Sequence, residues 1–324
     1  MVLVSYCNDT WPSVGGVARY DTQLALAFPD RVFFRGPQEK DQMLKYLETA
    51  DKPVVITDNH LACDVPNEYP LILVHHGCAR TTAERNPSWD KYWRDLCCNG
   101  QERMLHHRDP AKTLIVSISK SCTDDFTRFF GKDYLKFDRR TVLHPSELDQ
   151  AAYKNAFVNP KPVILGNWSH MKKGRHLIPI LRQMLPEFEF RQLAVLPRPG
   201  ENLNGFNARK QAMYLGADMF LQVANSEGFS YASHDAMICG LVPVCTNVGA
   251  FYGDVPADCF ASLDWEKCYG VPDFVYITTV IRGAWDSRHS ISENARRWYI
   301  HNTSFDSWAA TMKELVSDFA AEHV

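Results

Sequence analysis

The sequence predicts an α/β protein made of two successive halves, each with a parallel sheet covered by helices on both faces. Short, β-branched apolar runs recur along the chain and alternate with longer, charged segments of amphipathic character. Strands buried on both faces read as continuous apolar runs of this kind. The alternation restarts after the mixed, proline-containing stretch "HPSELDQAAYKNAFVNPKP", and a length of 324 residues suits two domains of about 150 each. The expected organisation is therefore a first domain over 1–150, a second over 151–305, and a terminal helix over 306–324.

"MVLVSYC" is the first predicted strand and stops at the turn-forming "NDTWPSVGG"; "VARYDTQLALAF" then has helical spacing. Further strands are expected at "RVFF" (32–35), "PVVIT" (53–57), "PLILV" (70–74), "TLIVSIS" (113–119) and "TVLH" (141–144), with amphipathic segments such as "EKDQMLKYLETA" between them. In the second half "VILGNW" (163–168) opens as a strand and "GRHLIPILRQML" as a helix. They are followed by "FRQLAVL" (strand), "ARKQAMYLG" (helix), "DMFLQVA" (strand) and "LVPVC" (strand). "SISENARRWYIHN" and "FDSWAATMKELVSDFAAEHV" read as helices, the second with an apolar stripe of Trp308, Met312, Leu315, Val316 and Phe319. In open sheets of this kind ligands bind beyond the carboxyl ends of the strands.

Composition narrows the function classes. Hydrophobic residues at 45% and charged residues at 23% are ordinary for a globular chain. The longest apolar runs fall far short of the roughly 20 residues of a membrane span, and the N-terminus lacks an export signal's pattern, so a cytoplasmic protein is expected. Ten cysteines without a C-x-x-C pair point to reduced thiols over disulfides or a zinc site. A net charge of −3 gives no global electrostatic case for nucleic acid or an anionic membrane. The densest basic stretch, "RFFGKDYLKFDRR" (128–140), reads as a solvated face or as an anion-facing rim.

The stretch "NSEGFSYASHDAMICGLVPV" (225–244) carries the most chemistry. A helix with "GFSY" as its first turn presents the backbone N–H groups of Phe229, Ser230 and Tyr231, beside Gly228, to an anion at the positive end of its dipole. Glu227 and Asp235 lie eight residues apart, roughly 12 Å along a helix. That span suits one carboxylate on a sugar and one on a ribose, with a diphosphate between them. The competing assignment makes Glu227 a helix cap and Asp235 a solvated residue.

This segment resembles the E-x7-E signature of the retaining GT-B glycosyltransferases of family 4 (group 1), with Asp235 in place of the second glutamate. The resemblance implies two Rossmann-like domains facing across a cleft, with the C-terminal helix returning to the first, and a nucleotide-sugar donor. Other motifs match it. "SVGGVARY" is similar to the family's N-terminal G-G loop, placing Gly15 and Gly16 near donor phosphate or acceptor. It lacks a full G-x-G-x-x-G, which counts against a dehydrogenase.

In "PLILVHHGCA" the family's histidine before the glycine corresponds to His76, implied to touch the transferred sugar; His75 is expected to pack elsewhere. His60, in "TDNHLAC", resembles a further cleft position. "GNWSHMKKGRH" resembles the glycine-rich turn and K-G of the second domain, implying that Lys173, before Gly174, neutralises the leaving diphosphate. Asn167 stands where the family has a partner arginine; Arg175, Lys172 or a residue of the 128–140 stretch is the expected substitute. Arg80, Arg85 and Trp89, with Tyr92 and Trp93, are candidates for the acceptor side, or else a buried helix stripe.

No D-x-D occurs, so the expectation is a transferase without a metal or other cofactor, moving a hexose or pentose to a glycan or glycolipid hydroxyl. Three alternatives remain at this point: transfer to a hydroxylated nucleic-acid base, nucleotide-sugar epimerisation, and binding of a nucleotide-sugar without catalysis.

Overall fold

The computed structural model describes residues 1–8 and 10–323; Asp9, in the first turn segment, and Val324 lie outside the described residues. The chain divides into two compact units, Met1–His144 with the terminal segment from Asp306, and Pro145–Phe305.

The first unit runs β1 (Val2–Cys7), α1 (Gly16–Ala27), β2 (Val32–Arg35), α2 (Lys40–Leu47), β3 (Pro53–Asp58), β4 (Leu71–His75), α3 (Ala79–Arg85), α4 (Lys91–His107), β5 (Thr113–Ser117), α5 (Lys120–Phe130), α6 (Lys132–Leu135) and β6 (Asp138–Thr141). Its six strands are all parallel, in the order β2-β1-β3-β4-β5-β6. Every residue of β3, β4 and β5 is buried, which is why these strands appear in the sequence as unbroken apolar runs.

The last strand departs from expectation. It is formed by the polar "DRRT" and not by 141–144, because an edge strand with mostly exposed side chains needs no apolar run.

The second unit runs β7 (Val163–Gly166), α7 (Ile178–Met184), β8 (Glu189–Gln192), α8 (Leu203–Leu215), β9 (Met219–Gln222), α9 (Tyr231–Ile238), β10 (Val242–Thr246), β11 (Ala261–Leu263), α10 (Phe274–Asp286) and α11 (Arg288–Thr303). The sheet order is β11-β10-β9-β7-β8, again parallel. β11 and α10 are elements that the apolar-run reading did not anticipate. Residues 145–150 belong to this unit because their polar groups are anchored in it. Ser146 Oγ donates to Asp235 (2.6 Å), and Gln211 Nε2 donates to the carbonyls of Asp149 (2.7 Å) and Ala152 (2.8 Å).

The final helix, α12 (Phe305–His323), packs in the first unit, where Trp308 meets the Tyr20 ring edge-on at 5.7 Å. Its stripe is buried at Trp308, Met312, Val316 and Phe319, while Leu315 is half-buried. Among the described residues no helix is long and apolar enough to cross a membrane. The ten cysteines are free thiols.

Both sheets share one topological property. The first strand of each, β1 and β7, has its successor on one side and the third strand on the other. The loops leaving the carboxyl ends of β1 and β3, and of β7 and β9, therefore diverge and open a crevice where side chains and backbone N–H groups can meet a ligand.

Candidate functional site

In the second unit the crevice at β7 and β9 is built by glycines. A Cβ on Gly166, at the end of β7, would overlap the buried Trp168 ring, whose indole donates to the Leu221 carbonyl (3.1 Å) on β9. Gly174 has φ +78°, and a Cβ there would overlap the Val223 side chain just beyond β9. Only glycine gives this turn both its left-handed backbone and its close approach. The turn is then stitched to the β9 loop: Asn225 N–H donates to the Lys172 carbonyl (3.0 Å), and the Tyr269 hydroxyl lies 2.7 Å from both the Lys172 and Val223 carbonyls. Burial pushes the Tyr269 phenol well up, with Cys268 and Glu227 adding, so it stays a neutral donor.

These constraints set Lys173 against Glu227. The ammonium bonds to the carboxylate Oε1, and the two side chains are 23% and 11% exposed, respectively. Lys172 belongs to the same electrostatic group: burial lowers its pKa, against the pull of Glu227, and Lys173 lowers it further. Asn167 is half-buried after β7, and Arg175 is exposed. The 128–140 stretch belongs to the first unit and is engaged there. Arg128 bonds to Glu84 (2.8 Å), Arg139 caps the carbonyls of Leu135 and Phe137, and Arg140 pairs with Asp138.

The segment after Glu227 differs from expectation. The helix starts at Tyr231, so Gly228, Phe229 and Ser230 form a turn before it and do not form its first coil. Ser230 adopts φ +81°, a conformation that costs a non-glycine residue about 1–2 kcal/mol. The turn is held by His234, whose Nδ1 donates to the Ser230 carbonyl (3.0 Å) and whose ring stacks on Phe229 at 3.9 Å, and by a Ser230–Ser233 hydroxyl contact (2.8 Å). Gly249, at φ +61°, brings the β10 loop against Glu227; a Cβ there would stand 3.1 Å from the Glu227 Cβ.

Asp235 is engaged within the second unit, not solvated. It is 1% exposed, accepts from Ser146 and faces Lys210 at 3.3 Å. Its carboxylate ties the segment before β7 to α9.

In the first unit, His76 follows β4 and its Nε2 lies 2.7 Å from Asp58 Oδ1 at the end of β3. The Tyr20 ring stands edge-on to the imidazole at 5.0 Å, and the His144 ring lies at 5.6 Å. Gln101 pins the loop beyond His76, donating to the Gly77 carbonyl (2.8 Å) and accepting from Ala79 N–H (2.8 Å). Gly15 caps α1 and Gly16 begins it. Among the described residues nothing stands within 4 Å of a Cβ placed on Gly15. His60 is half-buried against Gly100, where any side chain would overlap its Cβ, and burial lowers its pKa.

Of the acceptor-side candidates, Arg80 is paired with Glu102 (2.5 Å) and lies over Phe130, Arg85 ends α3, and Trp89 is half-buried in the following loop. The aromatics left exposed are Tyr92 and Trp93. Asp58 and Tyr269 were missed in the sequence. Asp58 had a signal, an acid at a strand's carboxyl end; Tyr269 had none.

His75, on β4, is fully buried, stacked on Phe126 at 3.9 Å, with neither ring nitrogen hydrogen-bonded among the described residues. Burial, with His76 adding, lowers its pKa to about 3. The unfolded chain binds a proton near pH 6.5 that the folded chain refuses, so this contribution to stability is complete above 6.5 and declines as pH falls toward 3. His75→Phe should keep the stack and remove the slope. The unfolding free energies of variant and parent, measured in urea, are expected to diverge by about 1.4 kcal/mol per pH unit between pH 6 and 5. A constant difference would refute this account.

No family model matches the sequence, and no curated protein matches it. Solved structures do match over nearly the whole chain. A sucrose-phosphate synthase from Thermosynechococcus elongatus superposes with a TM-score of 0.73 at 12% identity, covering 99% of this chain and 100% of its own. HepE from Anabaena, solved in complex with UDP, gives 0.66 at 13% identity, covering 98% and 100%. WaaG, a glycosyltransferase of lipopolysaccharide biosynthesis, gives 0.61 at 13%, covering 96% and 99%. The fold is GT-B, with its two Rossmann-like domains.

Proposed function

We propose that the protein is a retaining glycosyltransferase that moves a sugar from a nucleotide-sugar to an acceptor hydroxyl, without a metal ion. The observation that carries this reading is the Lys173–Glu227 pair at the switch point of the second sheet. An ammonium and a carboxylate held by backbone constraints at such a crevice match the two ends of one ligand: diphosphate for Lys173, sugar hydroxyls for Glu227. In the empty site each neutralises the other, and an entering donor replaces one ion pair by two better-matched contacts. As the anomeric C–O bond breaks, its electron pair goes to the diphosphate, and Lys173 with Lys172 stabilises the growing charge. The acceptor oxygen attacks from the same face, and its proton passes to the departing phosphate oxygen. The likeness to HepE in its UDP and UDP-glucose complexes makes UDP-glucose the first donor to test.

A thermal-shift series with UDP-, GDP-, ADP- and dTDP-sugars tests the reading. At 100 times its dissociation constant the cognate donor should stabilise by about 2.7 kcal/mol. The shift should persist in excess chelator. No shift with any nucleotide-sugar would remove the donor site, and a shift abolished by chelator would overturn metal independence.

A further inference from the structure

We propose that Asp58 is a positioning residue for His76, holding the imidazole with its proton on Nε2 so that Nδ1 accepts a hydrogen bond from a substrate hydroxyl. The inference deepens the transferase reading and rests on it for the identity of the ligand as a sugar. The geometry is independent of that reading. Asp58 is 0% exposed and lies at the carboxyl end of β3, while His76 follows the adjacent, parallel β4 and its side chain is 7% exposed. A carboxylate only accepts, so the 2.7 Å contact fixes Nε2–H as donor; in the neutral ring that the proposal invokes, the lone pair then sits on Nδ1, which makes no hydrogen bond among the described residues.

The surroundings keep the ring from turning. Tyr20 stands edge-on to one side and His144 is tilted against it, while Gln101 and Asn59 tie the backbone of the loop, Asn59 Oδ1 accepting from His76 N–H at 3.4 Å. Cys7 and Asp21 lie close to Asp58, with Cys7 Sγ and a carboxylate oxygen of each aspartate within 4.8 Å of one another. With its proton on Nε2 alone, an imidazole clamped in this way would discriminate by hydrogen-bond polarity, favouring ligands that donate at Nδ1, as a sugar hydroxyl does, over carbonyls and phosphate oxygens that only accept.

The test combines a spectroscopic and a kinetic measurement. In protein labelled with 15N-histidine, with the His76 signals assigned by their loss in His76→Gln, Nδ1 is expected to have the shift of an unprotonated nitrogen and Nε2 that of a protonated one. A proton on Nδ1 in the unmutated protein overturns the proposal outright, whatever the variants do. Asp58→Ala is expected to mix the tautomers and lower kcat/KM for sugar transfer by about 10²-fold. Asp58→Asn, whose amide oxygen still accepts from Nε2–H, should lose about tenfold less. Affinity for UDP, bound by the second unit, should be unchanged in both.

Asp58→Ala with unaltered kcat/KM, or with UDP affinity falling in parallel, counts against a positioning role. Should no nucleotide-sugar be turned over by the parent protein, the transferase reading fails, and the tautomer measurement still decides the clamp. It also decides it if Asp58→Ala does not fold.

Discussion

Lys173→Ala is expected to lower sugar transfer by about 10²–10³-fold, the scale on which loss of one preorganised charge-stabilising group slows a reaction. Glu227→Ala is expected to fall as far, by a different route. If Lys173 meets the diphosphate as proposed, its removal should weaken binding of free UDP as well as transfer. If Glu227 meets the sugar as proposed, its removal should leave UDP binding intact or tighten it, since the ammonium loses the carboxylate it pairs with. What Glu227→Ala should abolish is the preference for UDP-sugar over UDP. Calorimetric titration of both ligands into both variants separates these outcomes. The residues sit in loops fixed by Gly174, Tyr269 and Gly249, not by their own pairing, so both variants should fold. Full activity in both variants would remove the site assignment.

Asp218→Ala is expected to destabilise the second unit by about 3–5 kcal/mol, the cost of breaking a buried ion pair from one side. Asp218 is 0% exposed at the amino end of β9. Its carboxylate accepts from Lys154 Nζ (2.5 Å), Asn159 Nδ2 (2.6 Å) and the Val163 N–H (2.8 Å). Its backbone joins the same seam, since Asp218 N–H donates to the Val163 carbonyl and its own carbonyl accepts from Val242 N–H. One carboxylate thus fastens the segment before β7 to the sheet. Alanine would strand a Lys154 ammonium that is 9% exposed. Lys154→Met in the Asp218→Ala background should restore much of the loss, because the uncompensated charge goes with it. Chemical denaturation of the single and double variants measures both effects. A loss below about 1 kcal/mol for Asp218→Ala would show that the charges are solvated after all.

How far the sequence could be read depended on what each residue touches. Strands buried on both faces announced themselves, because most of their positions are apolar; β3, β4 and β5 lie where "PVVIT", "PLILV" and "TLIVS" stand. The polar edge strand β6 did not, since its outward side chains meet water. Lys173 and Gly174 were legible as a motif, but the overlap that makes glycine obligatory involves Val223, nearly fifty positions away. The start of α9 was placed too early because Ser230 takes a left-handed conformation that propensity disfavours and that His234 and Phe229 enforce.

Asp235 shows the limit most directly. By spacing it is the second acid of a donor-binding signature, and in the structure it is sealed beneath Ser146, 89 residues earlier.

The sequence by itself determined two parallel α/β halves and the strand ends at which chemistry had to lie, because burial on both faces and the needs of tight turns are written in local residue type. Tertiary structure alone decided which charges meet: Lys173 with Glu227 across 54 positions, His76 with Asp58 across 18, Asp235 with Ser146 and Lys210. Such pairings carry no periodicity along the chain. The first two exist because β7 lies beside β9 and β3 beside β4, so that their loops meet; the third joins α8, α9 and the segment before β7.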